Sequence, residues 1–181
     1  MSQLRIFADD NPDAVLLETD DYAGIARELD NVGVRFERWE ANARIEPGDG
    51  QDRILDAYAT DIERLRRQDG YRAVDMVSMW PDHPERGAAR RKFLDEHTHA
   101  EDEVRFFVHG KGLFSLHIGD RVFEVLCERG DLIGVPANTN HWFDMGPRPE
   151  FTAIRLFNNP EGWVAHFTGS DMASRFGRLE A

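Results

Sequence analysis

The sequence predicts a mainly β protein, an antiparallel barrel or jelly roll with helices ahead of it and one short helix after it. Three observations carry that expectation. From Glu103 onward, short apolar-rich segments recur: Glu103–Val108, Leu113–Ile118, Arg121–Cys127, Asp131–Val135, His141–Met145 and Phe151–Phe157. Turn-rich stretches divide them, namely His109–Gly112, Gly119-Asp120, Glu128–Gly130, Pro136–Asn140 and Gly146–Glu150. Evenly spaced strands with such turns are the pattern of an all-β barrel or sandwich. Finally, 181 residues that are 41% hydrophobic and include 12 Phe suffice for one domain with a sizeable core.

The elements before and after the barrel follow in order. Leu4–Phe7 alternates like a strand, Asp21–Asn31 reads as a helix stopped by Gly33, and Val34–Trp39 as another strand. Gln51–Gln68 predicts one long helix, because Ile54, Leu55, Tyr58, Ile62 and Leu65 form a stripe that ends at Asp69-Gly70. Tyr71–Trp80 reads as a strand buried on both faces, and Pro81 to about Lys92 as a polar, Pro-containing segment. Gly110-Lys111-Gly112 is placed in a hairpin turn, which lacks the strand-to-helix setting of a phosphate loop. Asp171–Gly177 predicts the last short helix. The expected organisation is a single domain over 1–181: residues 1–92 packed on the barrel, 93–168 carrying its core motifs, and 169–181 as a tail.

Charge narrows the partners. A formal net charge of −12 disfavours nucleic acid and anionic membrane surfaces, both of which need a basic footprint. Cys127 is the lone cysteine, so no intramolecular disulfide forms and a reducing compartment is the natural home. The first residues lack a basic start followed by an apolar stretch, and no apolar run is long enough to span a bilayer. The expectation is a cytoplasmic, monomeric protein.

The chemistry concentrates at His97-Thr98-His99. Side chains alternate along a strand, so His97 and His99 share one face, and Glu103 has the same parity. His141 arrives from a distant strand. Three imidazoles and a carboxylate on one face make a mononuclear site, for a transition metal rather than magnesium or calcium. Arg105 shares the parity of Glu103 and points to the same lumen. Arg155 shares parity with Ala153 and Phe157, an odd place for a charge unless it meets an anion or pairs with an internal acid such as Glu101 or Asp102. Phe93, Phe107, Phe143 and Trp163 are candidates to wall a pocket, with core packing as the alternative for each. Glu96 and Asp102 have opposite parity, which suits either hydrogen bonds to the ligands' ring nitrogens or exposure to solvent. His83, His109, His117 and His166 are read as non-ligands.

These residues resemble the cupin superfamily. His97, His99, Glu103 and Gly110 match its first motif, and Gly130, Pro136 and His141 its second; Arg91, Asn138 and Met145 depart from it without touching a ligand. A closer resemblance is to acireductone dioxygenase of methionine salvage, carried by Glu96–Val108, Val135–Gly146, Phe151–Phe157 and Asn159–Trp163. That resemblance implies a cupin double-stranded β-helix (jelly-roll) barrel and one Fe(2+) or Ni(2+) per chain on His97, His99, Glu103 and His141. It implies that Arg105 helps form and hold a substrate dianion, with Glu96 and Asp102 in supporting catalytic roles. Arg155, Phe107 and Phe143 complete the candidate substrate-binding set.

The implied substrates are 1,2-dihydroxy-3-keto-5-methylthiopentene and O2. Iron would give formate and 4-methylthio-2-oxobutanoate; nickel would give formate, carbon monoxide and 3-methylthiopropanoate. Three neutral histidines and one carboxylate leave two positions of an octahedral divalent ion for a chelating enediol. The alternatives are another mononuclear-metal cupin dioxygenase or isomerase, or a non-catalytic cupin that binds a small molecule. The ligand types do not choose between iron and nickel.

Overall fold

Two antiparallel sheets share one strand, and the candidate ligands lie between them. The computed structural model describes residues 1–180. Its strands are β1 (Gln3–Ala8), β2 (Asn11–Thr19), β3 (Arg35–Arg38), β4 (Ala73–Met79), β5 (His97–Thr98), β6 (Glu103–Ile118), β7 (Arg121–Glu128), β8 (Asp131–Val135), β9 (Asn140–Asp144), β10 (Phe151–Phe157) and β11 (His166–Phe167). One sheet runs β11-β5-β9-β6-β7-β1-β2; the other runs β3-β8-β6-β10-β4. The first half of β6 pairs with β8 and β10, its second half with β7 and β9.

The crossing corrects the hairpin turn expected at His109–Gly112. Those residues lie inside a single 16-residue strand that bends between the sheets. The register against β10 slips beside Thr152 and Ala153, a bulge that turns the chain. Gly110 sits at φ +66°, and a Cβ there would fall 1.8 Å from the Glu150 carbonyl oxygen. Only glycine meets both demands. Sequence patterning cannot tell such a bend from a turn, since both require glycine.

Alternation along β6 sorts its side chains. Val104, Phe106 and Val108 face a cluster under the helices, with Leu132, Ile154 and Leu156. Glu103, Arg105 and Phe107 face the barrel lumen, whose floor holds Phe107, Phe114, Phe143 and Phe151.

The helices are α1 (Tyr22–Asp30), α2 (Gln51–Ala57), α3 (Ala59–Asp69), α4 (Arg86–Leu94) and α5 (Met172–Arg175). Asp21 caps α1 by accepting from the Gly24 N–H at 2.8 Å. The long helix expected over 51–68 is two helices, broken at Tyr58, whose backbone leaves the helical region at φ −115°, ψ 19°. There the Tyr58 hydroxyl accepts from the Ala43 N–H and its ring meets Phe106 edge-on, while Ile54, Ile62 and Leu65 keep the buried stripe. Gly70 ends α3 in the left-handed conformation.

Three further expectations change. β4 is half-buried throughout rather than buried on both faces, because it is an outer strand and lines an open cavity. The polar segment after Pro81 forms α4, which buries no residue and has no apolar stripe to announce it. β2 passed unseen because it is a mostly exposed edge without alternating apolar residues. Among the described residues no helix is long and apolar enough to cross a membrane.

Candidate metal centre

β5 and β9 bring His97 opposite His141 as direct cross-strand partners, and His99 follows just beyond β5. One potential ligand atom from each imidazole lies within 4.8 Å of the others, and all three residues are buried. Backbone carbonyls fix the rings. His97 Nδ1 meets the Asp95 oxygen at 2.8 Å, His141 Nδ1 the Thr139 oxygen at 2.8 Å, and His99 Nδ1 the Val164 oxygen at 2.9 Å. A carbonyl only accepts, so each Nδ1 carries a proton, and in the neutral ring each Nε2 then keeps a lone pair.

Glu103 completes the set. Its Oε2 lies 3.1 Å from His99 Nε2 and 4.0 Å from His141 Nε2. Both Glu103 Oε2 and His141 Nε2 are buried without a hydrogen-bond partner, a costly condition that a bound cation removes. Burial, with the neighbouring His97, pushes the His141 pKa down to about 3, and burial lowers that of His97 as well. Burial alone would raise the Glu103 pKa, but the Arg105 guanidinium outweighs it and holds the carboxyl well below its usual range. Neutral imidazoles beside an ionised carboxylate suit a divalent transition metal.

Arg105 donates from Nε to Glu103 Oε1 and is equally buried. Its guanidinium carbon lies 5.0 Å from the Phe114 ring centre, 5.1 Å from that of Phe143 and 5.6 Å from that of Phe93. Its Nη1 has no partner. His97, His99 and Arg105 all open onto one cavity of about 760 Å³, with Val77, Met79, Trp80, Phe93 and Trp163 on its apolar walls.

The structure places the remaining candidates in different settings. Phe93 and Trp163 line the cavity. Phe107 and Phe143 do not: they are floor residues, packed with Phe114 and Phe151 beneath Arg105. Gly112 makes room there, since a Cβ on it would lie 2.3 Å from the Phe143 ring. Arg155 reaches the cavity but pairs with Asp75 of β4 instead of Glu101 or Asp102, through Nε–Oδ1 at 2.8 Å and Nη2–Oδ2 at 2.6 Å.

Glu96 and Asp102 do not touch the ligands' ring nitrogens, which the backbone has taken. Glu96 is buried, accepts from Thr168 Oγ1 at 2.7 Å and meets His117 Nδ1 at 3.2 Å. The other nitrogen of His117 faces Asp9, so this histidine lies outside the lumen cluster. Asp102 accepts from the Ala137 N–H at 2.7 Å and so ties the turn before His141. Sequence reasoning missed Asp75 as a cavity residue. Its signal was present, a lone acid inside Ala73–Met79, where Ser78 is the one other polar residue.

Comparison with known proteins agrees with this geometry. Residues 3–165 match the model of the ARD/ARD′ family. The chain is 58% identical over 178 residues to an acireductone dioxygenase of Alcanivorax borkumensis, covering 98% of both chains. It is 59% identical over 180 residues to one of Pseudomonas aeruginosa, covering 99% of both. Its fold resembles an acireductone dioxygenase from Bacillus anthracis solved with a cadmium ion in the active centre, at a TM-score of 0.79 and 30% identity, over 92% of this chain and 98% of that one. Matched over 98–99% of its length by these sequence relatives and over 92% by a solved fold, the chain belongs to the ARD/ARD′ family.

Proposed function

We propose that this protein is a metal-dependent dioxygenase of methionine salvage that cleaves the acireductone 1,2-dihydroxy-3-keto-5-methylthiopentene with O2. With Fe(II) the products are formate and 4-methylthio-2-oxobutanoate; with Ni(II) they are formate, carbon monoxide and 3-methylthiopropanoate. Each set accounts for every atom of one acireductone and one O2. The carrying observation is the convergence of three buried imidazoles and Glu103 beside an arginine whose Nη1 has no partner, with His97, His99 and Arg105 opening onto one cavity.

One divalent ion per chain would be held by His97, His99, Glu103 and His141, and when bound it supplies a Lewis-acidic centre that favours the ionised enediol. Arg105 keeps Nε on Glu103 and offers Nη1 to the developing negative charge on a substrate oxygen. The aromatic rings around its guanidinium hold it in place and keep water away. Val77, Met79, Phe93 and Trp163 form the wall that receives the methylthio tail. Glu96 grips Thr168 and thereby the segment whose Val164 carbonyl orients His99. Asp102 steadies the turn whose Asn138 N–H donates to the His99 carbonyl. Both acids therefore support the ligands through the backbone.

The protein is further proposed to act as a cytoplasmic monomer, without nucleic-acid or membrane partners. Cys127 is a buried free thiol, which suits a reducing compartment, and the net charge of −12 suits neither polyanion. The deciding experiment loads the protein anaerobically with Fe(II) or with Ni(II), adds the acireductone, admits oxygen and identifies the products. Failure to consume the acireductone at full metal occupancy refutes the activity; identical products from both loadings refute the metal dependence.

A further inference from the structure

Four charges form a row across three strands at the polar end of the cavity. Arg105 of β6 stands directly opposite Arg155 of β10, and Arg155 directly opposite Asp75 of β4. Glu103 closes the row from its place two residues before Arg105. Like charges directly opposite one another repel, and here both are largely removed from water. Each arginine is compensated by one carboxylate: Arg105 by Glu103, and Arg155 by the two-pronged contact with Asp75. Asp75, Arg155, Arg105, His97 and His99 all line the same cavity, so the charge of the Asp75–Arg155 pair is felt where a cation would sit.

We propose that Asp75 is a positioning residue: by pinning Arg155 and cancelling its charge, it sets the field in which His97, His99, Glu103 and His141 take a divalent metal. The inference rests on the reading of those four residues as a metal site, but not on the reaction. With Asp75 ionised, the row sums to zero. Without it, Arg155 becomes an uncompensated cation beside the open cavity, free to turn towards Glu103 and opposed to a second cation nearby. Without Arg155, the row carries one excess negative charge, which favours the metal. No ligand is altered in either case.

The test is a double-mutant cycle on the nickel-loaded full-length protein, with nickel affinity measured by equilibration against a competing chelator. Asp75→Asn is expected to weaken nickel binding about tenfold and Arg155→Gln to tighten it by a similar factor, the scale of one partly screened charge. The double variant Asp75→Asn/Arg155→Gln should return to within about twofold of wild type, because the two effects share one charge pair. Asp75→Glu, which keeps the charge, should bind nickel within about threefold of wild type. Asp75→Asn with wild-type affinity, Arg155→Gln with weakened affinity, or a double variant as weak as Asp75→Asn would each overturn the proposal. A purely structural pair would lower stability without this compensating pattern. Turnover of the acireductone by the wild-type protein is recorded in parallel. Its absence at one nickel per chain would sink the dioxygenase reading, while the affinity cycle would still decide the role of Asp75.

Discussion

His97 and His141 face each other across β5 and β9 with their ring centres 4.4 Å apart, although a long stretch of chain separates them. Each ring is turned by the carbonyl two residues before it, Asp95 for the one and Thr139 for the other. The cluster is therefore prepared by backbone pairing before any metal arrives.

Removing one ring should empty the centre. His141→Ala is expected to lower metal affinity by more than about 100-fold, above the cost of losing an outer partner of a ligand. Elemental analysis of purified protein should fall from about one ion per chain to a trace. Wild-type occupancy in that variant would exclude His141 from the site.

Arg105 should matter most to turnover. Arg105→Ala is expected to keep its metal and lose about 10²-fold or more in kcat/KM, the scale of one preorganised charged donor. Its contact with Glu103 adds a condition: the metal-free variant should melt well below metal-free wild type, because a buried carboxylate has lost its counter-ion, whereas metal loading should close most of that gap. Lysine should recover little, since a point charge cannot serve Glu103 and a substrate oxygen in one plane. Kinetics, metal content and melting on the same samples separate these cases, and normal turnover at full occupancy would make Arg105 structural.

Acid stability should depend on Asp144. This buried carboxylate takes Arg90 of α4 at 2.8 and 3.1 Å and the N–H groups of Gly146 and Leu179. Burial alone would raise its pKa, but these partners outweigh it and lower the value below 3.8. The unfolded chain therefore binds this proton more readily, so the stabilisation is complete above pH 3.8 and lost as the pH falls below it towards the folded value. Asp144→Asn should cost about 3 kcal/mol at neutral pH, the scale of breaking a buried pair. Urea titrations should then show a shallower loss of stability on acidification than wild type. An unchanged acid slope would remove Asp144 as a source of it.

Two glycines with similar backbone angles should respond differently. Gly110 and Gly119 have φ values of +66° and +63°, but a Cβ at Gly119 meets nothing within 4 Å. Gly119→Ala is expected to cost only about 1–2 kcal/mol of left-handed strain. Gly110→Ala adds collision with the Glu150 backbone and should cost more than about 3 kcal/mol, enough to appear as insoluble or poorly folded protein. Equal melting temperatures for the two variants would refute the close-approach explanation.

Much of this architecture was legible in the sequence, for an identifiable reason. Strand alternation is local, so the inward set Glu103, Arg105 and Phe107 follows from parity alone, as does the shared face of His97 and His99. What escaped depends on register or depth. Which acid meets Arg155 is set by the pairing of β10 with β4, and no spacing rule leads from Arg155 to Asp75. Parity puts Phe107 and Phe143 in the lumen but cannot say that they lie on its floor, below the cavity. The supports of the imidazoles are main-chain carbonyls, which carry no residue signature.

The sharing of β6 between both sheets has a consequence for how the molecule comes apart. β6 is hydrogen-bonded to β8 and β10 in one half and to β7 and β9 in the other, so neither sheet can peel away without tearing the strand that the other needs. The barrel should behave as one cooperative unit, with the slowest amide exchange along β6 at the full free energy of global opening and with β2 at the fraying end. Glu103 begins that strand, so the carboxylate proposed as a metal ligand is anchored in the part of the fold expected to yield last.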